Sequence, residues 1–460
     1  MMVLFFLKLT YLTVGVCNVS APQPLFPVPT PQQLMWHRLE MGMFCHFGIN
    51  TFHNEEWTDG SKLPETFSPT DFNPLQWAEV AKKVGMGYLI FTVKHHDGFV
   101  LYPTQHTDYC VRNAPWKEGK GDAVKEVADA CRKVGIKFGF YLSPWDRHDS
   151  RYNDNKAYDE YFKNLLRELL TNYGEILEVW FDGAGTKGHV YDWEGYYGLI
   201  KQIQPNALIA ICGPDIRWVG NEDGLAPESV WYVQERDGKK VWWPPECDVP
   251  IRMGQWFYHT DGENRLLSLN SLLRIYYNSV GRGAVLLLNV SPDRSGHLPE
   301  PDVKRLFEWR SVIEETFKEN LALSAKWSSS NTRGDCLEFS PENCRIENDD
   351  KFWTTDDGMG TSYVTLTFDK PVTFDRVVIK EHIALGQRVT KHSIWVKRGK
   401  NWERLLESTT VGYKRIHLLP STKSREVRVQ IDESLDVPVI EFIGVYLSSP
   451  KDLKINKINK

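Results

Sequence analysis

From about residue 40 onward, short and nearly continuous apolar runs alternate with longer stretches whose apolar residues recur at helical spacing. The runs fall at residues 43–49, 86–93, 136–142, 177–182, 207–212, 229–234, 252–257 and 283–289, the seventh being the weakest. Each has the length of a buried strand. Between them, Ala123, Val124, Val127, Ala128, Cys131 and Val134 trace one helical face, as do Phe162, Leu165, Leu166, Leu169 and Leu170. Strands apolar on both faces need cover on both faces, which crossover helices supply in a parallel sheet. The repetition predicts an α/β fold, a closed (β/α)8 barrel within residues 22–320.

Beyond about residue 321 the period changes to two. Residues 363–368, 376–379, 392–396 and 427–431 alternate apolar and polar positions between turn signals, which predicts a β-sandwich over residues 321–460. Residues 1–21 form an apolar stretch that ends in small residues before Pro22 and reads as a secretory leader cut after Ala21, with its single Lys8 inside the run. That cut would place the mature chain outside the cytoplasm, secreted or periplasmic. The leader is short for a membrane span, and no later stretch reaches about 18 apolar residues, so no span is expected in the mature chain. Cys17 would leave with the leader. The other seven of eight cysteines are an odd number, which argues against a disulfide framework. Cys45, Cys131 and Cys212 read as buried thiols; Cys336 and Cys344 are close enough for a local bridge, with two free thiols as the equal alternative.

A net charge of -5 spread over 460 residues leaves no basic footprint for nucleic acid. Seventeen tryptophans suit both a large core and the binding of sugar faces.

In parallel barrels the groups just past each strand face one mouth. Here they include His46, then Lys94, His95, His96 and Asp97, then Tyr141, and then Trp180 and Asp182. Glu178, Trp180 and Asp182 share a face by the two-residue period, with Asp182 nearest the mouth. The loop after the fifth run adds Asp215, Arg217, Trp218 and Glu222. Glycoside cleavage requires one carboxylic acid to protonate the leaving oxygen and a second carboxylate that attacks or activates water. Asp182 and Glu222 have the types for these roles, although a turn cap beside Gly183 and a solvated loop carboxylate would account for them equally. The histidines and Asp97 are also metal-ligand types. Adjacent strand residues point to opposite sides, however, which argues against His95 and His96 sharing one ion.

Five stretches in order, Met43 to Phe52 (MFCHFGINTF), Glu55 to Trp57 (EEW), Lys94 to Phe99 (KHHDGF), Trp180 to Ala184 (WFDGA) and Gly281 to Asn289 (GRGAVLLLN), give a chain that resembles glycoside hydrolase family 29, the retaining α-L-fucosidases. The resemblance implies Asp182 as nucleophile and His46, Glu56, Trp57, His95, His96, Tyr141 and Trp180 as groups that hold the fucose ring. The Gly220 to Gly224 segment (GNEDG) is similar to that of the subgroup acting on α-1,3 and α-1,4 branches, which implies Glu222 as acid/base, with nearby Glu228 as the alternative. A fucosylated glycan is then the partner, and no metal, nucleotide or flavin cofactor is implied. Trp256 and Phe257 are candidates for an apolar wall against the fucose methyl, and Arg217 for a hydroxyl contact or an ion pair with Asp215 or Glu222. In the sandwich, which resembles a carbohydrate-binding domain, Trp353 and His382 are candidates for touching ligand. Asn289-Val290-Ser291 fits a glycosylation sequon, but it closes an apolar strand. A lectin-like protein without turnover and a metal-dependent barrel hydrolase are the rival classes.

Overall fold

Helix α1 (Pro31–Leu39) begins at Thr30, whose hydroxyl accepts from Gln33 N in a capping box, with Pro31 in the first turn. It feeds β1 (Met41–Cys45) and places Trp36, fully buried, among the residues inside the barrel. The computed structural model describes residues 17–185 and 188–455.

The chain continues through α2 (Ile49–His53), α3 (Pro74–Lys83), β2 (Tyr88–Lys94), α4 (Ala123–Val134), β3 (Lys137–Leu142), α5 (Asn155–Asn172), β4 (Glu178–Phe181), α6 (Trp193–Ile203), β5 (Leu208–Ile211) and β6 (Arg217–Trp218). An antiparallel hairpin of β7 (Val233–Arg236) and β8 (Lys239–Trp242) precedes β9 (Pro245–Pro250), α7 (Leu269–Asn278), β10 (Val285–Asn289) and α8 (Glu300–Thr316). Eight of these strands form one parallel sheet in the order β5-β4-β3-β2-β1-β10-β9-β6. A parallel bridge between Ala210 and Ile216 links β5 to the residue before β6, so the barrel is nearly closed. Both helical faces read from the sequence are buried, apart from half-buried Val134, as amphipathic cover helices require.

The sixth and seventh strands differ from expectation. Residues 229–234 are not a barrel strand: their backbone bonds to the C-terminal domain, where Thr410 Oγ1 accepts from Val230 N and Gln387 Oε1 from Tyr232 N. Residues 252–257 are a loop, anchored by the buried bidentate pair of Arg252 with Asp302 at 2.9 Å. The true strands there are the two-residue β6 and the polar β9, whose prolines stand at its ends, where a missing N–H costs the ladder least.

The C-terminal domain comprises β11 (Lys326–Ser329), β12 (Trp353–Thr354), β13 (Ser362–Glu381), β14 (Val389–Arg398), β15 (Asn401–Ser408), β16 (Arg415–Ser434) and β17 (Val439–Tyr446), all antiparallel, in the order β12-β17-β13-β16-β14-β15 with β11 on β13. Register shifts at Thr367/Val372 and Phe374/Arg376 bend the long β13–β16 pair, and the sheet folds over a core that includes Phe374, Val377, Val427 and Trp353. Trp353 is thus a core residue, with its indole N–H on Asn331 O, and not a ligand contact; His382 lies 3.1 Å from Glu441 Oε2.

The cysteine expectation is also corrected. Cys17 is disulfide-bonded to Cys336, while Cys344 is a buried thiol whose Sγ donates to Ile440 O. Residues 1–16 of the expected leader lie outside the described residues. A cut after Ala21 would remove half of the Cys17–Cys336 bridge, and neighbouring contacts tie the segment down: Arg333 Nε donates to Ser20 O, and Arg388 Nη2 to Gln23 O.

Candidate active site

The C-terminal ends of the barrel strands surround a cavity of about 380 Å³ lined by Phe44, His46, Glu56, Trp57, His95, His96, Tyr141, Trp180, Asp182, Gly183, Ala184, Ile211, Trp218, Glu222, Asp248 and Trp256. His46, Glu56, Trp57, His95, His96, Tyr141, Trp180, Asp182, Glu222 and Trp256, expected from the sequence as site residues, all line it, whereas Arg217 and Phe257 do not, nor do Lys94, Asp97 and Asp215 from the strand ends and loop. Arg217 donates through Nε to Trp243 O at 3.1 Å; Trp218, the next residue on β6, lines the cavity instead, as strand alternation dictates. Phe257 packs behind the cavity, edge-on to the rings of His46 and His95 at 5.4 and 5.0 Å.

Asp182 follows β4 directly. Its Oδ1 accepts from Ala184 N at 2.8 Å and its Oδ2 from Tyr141 OH at 2.9 Å, with His96 Nε2 3.6 Å away. Burial raises its pKa above the ordinary aspartate value, while these hydrogen bonds pull the other way by stabilising the anion. Glu222 is exposed on the loop after β6, and its Oε2 accepts from Trp256 Nε1 at 3.2 Å. Glu228 does not line the cavity; Arg282 at 2.9 Å and Arg415 hold its carboxylate on the way to the C-terminal domain.

The three histidines are set by their neighbours. His46 Nδ1 lies 2.9 Å from Asn289 Oδ1, and Asn289 Nδ2 donates to Trp256 O, so Nδ1 carries the proton and Nε2 is the acceptor. Ser143 donates its hydroxyl to Trp145 O, so it accepts from His96 Nδ1 at 2.7 Å and His96 Nε2 is likewise an acceptor. His95 Nδ1 faces Asn50 Nδ2 at 3.4 Å, which leaves Nε2 as its donor. Burial pushes His46 and His96 down to about 3, so the rings are neutral hydrogen-bonding groups of both senses, as a polyhydroxylated ligand requires. Among the described residues no group of three histidine, cysteine or acidic side chains is arranged to hold a metal. Asn289 is buried and committed to His46 and Trp256, which closes its sequon to modification.

Glu56 accepts from Trp256 N and Phe257 N at 2.8 and 3.2 Å and so fixes the loop that carries Trp256. Trp180 is 4 % exposed and stacks on Tyr141 at 5.4 Å, forming an aromatic floor with Phe44. Trp57 and Trp218, 53 % and 41 % exposed, stand at the rim. Phe44, Gly183, Ala184, Ile211 and Asp248 were not foreseen as lining residues. For Asp248 a signal existed: Glu246 and Asp248 sit two apart on β9, as Trp180 and Asp182 do on and just past β4, and so share a face. Asp248 Oδ1 accepts from Trp218 Nε1 at 2.7 Å, and burial holds its carboxyl well above the usual range.

Comparison with known proteins agrees with this geometry. A family profile described as alpha-L-fucosidase matches residues 29–315, and one described as F5/8 type C domain matches residues 324–439. The chain is 41 % identical over 451 residues to Alpha-L-fucosidase 1 of Arabidopsis thaliana, covering 93 % of this chain and 88 % of that protein. It is 26 % identical over 336 residues to human plasma alpha-L-fucosidase, covering 64 % and 69 %. A Ruminococcus gnavus GH29 fucosidase solved in complex with fucose superposes with a TM-score of 0.87 at 31 % identity, covering 94 % of this chain and 97 % of that one. An eight-stranded barrel with a carboxylate-bearing cavity at its mouth, a trailing antiparallel domain and these matches place the chain in the alpha-L-fucosidase family, glycoside hydrolase family 29.

Proposed function

We propose that the chain releases terminal α-1,3- or α-1,4-linked L-fucose from oligosaccharides or glycoconjugates with retention of configuration, Asp182 acting as nucleophile and Glu222 as acid/base. The observation that carries this reading is the pinning of both Asp182 oxygens, by Ala184 N and Tyr141 OH, in a cavity that Glu222 also lines. In the first step a bond forms between the Asp182 carboxylate and the anomeric carbon, the glycosidic C–O bond breaks, and Glu222 gives its proton to the departing oxygen. In the second, water adds to the same carbon as Glu222 takes its proton, and the ester to Asp182 breaks. Histidine acceptors and donors take the ring hydroxyls. The exposed faces of Trp57 and Trp218 offer apolar surface to the sugars beyond fucose.

The linkage preference rests on the GNEDG segment that carries Glu222. Comparing kcat/KM on Lewis-type trisaccharides with α-1,2- and α-1,6-fucosylated glycans tests it; a preference of about 10-fold or more for the former is expected, and equal rates would remove it.

Tyr141 supplies a pH test. The attacking carboxylate must be ionised, so kcat/KM falls as pH drops through the raised Asp182 pKa. Tyr141→Phe deletes a donor that stabilises the anion, so the acidic limb moves to higher pH, by about one unit for a hydrogen bond to a charged group. An unmoved limb would assign it to another group.

The chain is further proposed to mature outside the cytoplasm, with its leader cut upstream of Cys17. Disulfides persist in oxidising compartments, and Cys17–Cys336 joins the N-terminal segment to the second domain. N-terminal sequencing of the secreted protein, with peptide mapping under non-reducing conditions, is expected to find a start at or before Cys17 and a Cys17–Cys336 cross-link. A start at Pro22 would contradict this. Cys336→Ser should lower stability by roughly 2–4 kcal/mol.

A further inference from the structure

Below the floor of the cavity lies a second pair of carboxyls that the chemistry above does not use. Glu178 opens β4 and Glu246 is the second residue of β9; both are fully buried inside the barrel. Burial raises the Glu178 pKa, and the charge of Glu246 raises it further, as a neighbouring carboxylate in a dry interior must. Three ring groups aim at them. Trp36 Nε1 donates to Glu178 Oε2 at 3.1 Å, Tyr88 OH to Glu246 Oε1 at 2.7 Å, and Trp180 Nε1 to Glu246 Oε2 at 2.9 Å. Gly42 on β1 leaves room for the Tyr88 ring, because a Cβ there would stand 2.3 Å from Tyr88 Cζ.

Two neighbouring carboxylates in a dry interior cannot both be ionised. Both Glu246 oxygens already accept from ring donors, whereas Glu178 Oε1, also buried, has no donor among the described residues. Glu178 Oε1 is therefore the atom that carries the shared proton and donates it towards Glu246. Burial raises both groups, and the donors on Glu246 pull it back.

We propose that Glu178 and Glu246 are positioning residues: an acid–carboxylate pair that holds the Trp180 indole as the floor of the sugar cavity and, through the Trp180–Tyr141 stack, sets the Tyr141 hydroxyl on Asp182. The path is contiguous: Glu246 to the Trp180 N–H, the Trp180 ring to the Tyr141 ring at 5.4 Å and 25°, and Tyr141 OH to Asp182 Oδ2. The proposal rests on the reading of this cavity as the fucose site. It predicts an asymmetry between two otherwise similar changes. In Glu178→Gln the amide oxygen accepts from Trp36 and the amide N–H₂ donates to Glu246, which reproduces the protonated acid. In Glu246→Gln the amide N–H₂ either faces Trp180 N–H, donor against donor, or faces Tyr88 OH and forces that buried hydroxyl to turn from donor to acceptor.

The test is a double-mutant cycle on an aryl α-L-fucoside, with melting temperatures recorded for every variant. Glu246→Gln should lower kcat about 10²-fold with KM changed less than about 3-fold, the scale expected when a catalytic group is misplaced by a remote change. The same substitution made in a Trp180→Phe background should cost less than about 3-fold, because the group it acts through is gone. Glu178→Gln should stay within about 3-fold of the parent, by the same reckoning of preserved hydrogen bonds. Equal cost of Glu246→Gln with and without Trp180, or equal losses in both Gln variants that track their melting temperatures, would overturn the proposal and leave the pair as barrel filling. If Glu246→Gln does not fold, Glu246→Asp, which keeps the charge but withdraws it from Trp180, takes its place in the cycle with the same expected outcome. Every arm compares active enzymes, so failure here is distinct from failure of the nucleophile assignment, which Asp182 variants test alone.

Discussion

Asp182→Ala is expected to lower kcat on aryl α-L-fucosides by about 10⁴-fold, since losing the attacking group removes a whole reaction path and leaves only binding and electrostatics. The fold should survive. The two donors released by the change, Ala184 N and Tyr141 OH, border a cavity open to water, which can take the place of the lost carboxylate. That separates a catalytic loss from unfolding, and a melting temperature within a few degrees of the parent is the control. The vacated space also permits a positive test. Azide entering from the side Asp182 occupied would attack the anomeric carbon and yield β-L-fucosyl azide from an α-fucoside with a good leaving group. Recovery of turnover with that product assigns the face of attack as well as the residue. If Asp182→Ala retains more than about one tenth of kcat, the nucleophile assignment is wrong.

The second large effect concerns Glu222. Glu222→Ala should reduce kcat on a fucosylated trisaccharide by about 10³-fold, within the range for general acid catalysis, because a sugar leaving group needs a proton. An aryl fucoside with a strongly acidic phenol does not, so its first step should proceed near the parent rate while the second, now without a base, limits turnover. Azide should then relieve the second step and give the α-azide, with configuration retained. This dependence on the leaving group is the signature that separates an acid/base from a residue that merely binds. The matching experiment at Glu228 should look different: its carboxylate is engaged by Arg282 and Arg415, so Glu228→Ala is expected to alter stability at the domain junction and to leave the leaving-group dependence as in the parent.

Much of this architecture was legible in the sequence, for identifiable reasons. Strands β1 to β5 and β10 are apolar on both faces because helices and barrel interior enclose them, and such runs stand out against amphipathic neighbours. β9 did not stand out. Its sequence, Pro245 to Pro250, looks like a loop because its inward face carries Glu246 and Asp248, whose partners come from β2, β4 and β6, distant in sequence. The run at 229–234 looked like a strand for the opposite reason: Val230 and Tyr232 are buried, but their backbone N–H groups bond to the other domain and not to a barrel neighbour. In the C-terminal domain β13 and β16 read as shorter pieces because their register shifts interrupt the alternation.

The site was legible where a motif joined a strand end to polar groups, as at His46, His95, His96 and Asp182. It failed where a choice between adjacent residues depended on strand phase, as with Arg217 and Trp218, since a two-residue strand gives too little pattern to fix which side chain turns inward. The Cys17–Cys336 bridge was illegible because the two residues are 319 positions apart and one lies in a segment that reads as leader.

The most direct measurement follows the fucose released from a Lewis-type α-1,3/1,4-fucosylated trisaccharide by proton NMR in the first minutes of reaction, before mutarotation mixes the anomers. α-L-fucose as the first product, absent with Asp182→Ala, is the result expected of double displacement through Asp182. β-L-fucose appearing first would mean that water attacks directly, and would contradict the assignment of Asp182 as nucleophile.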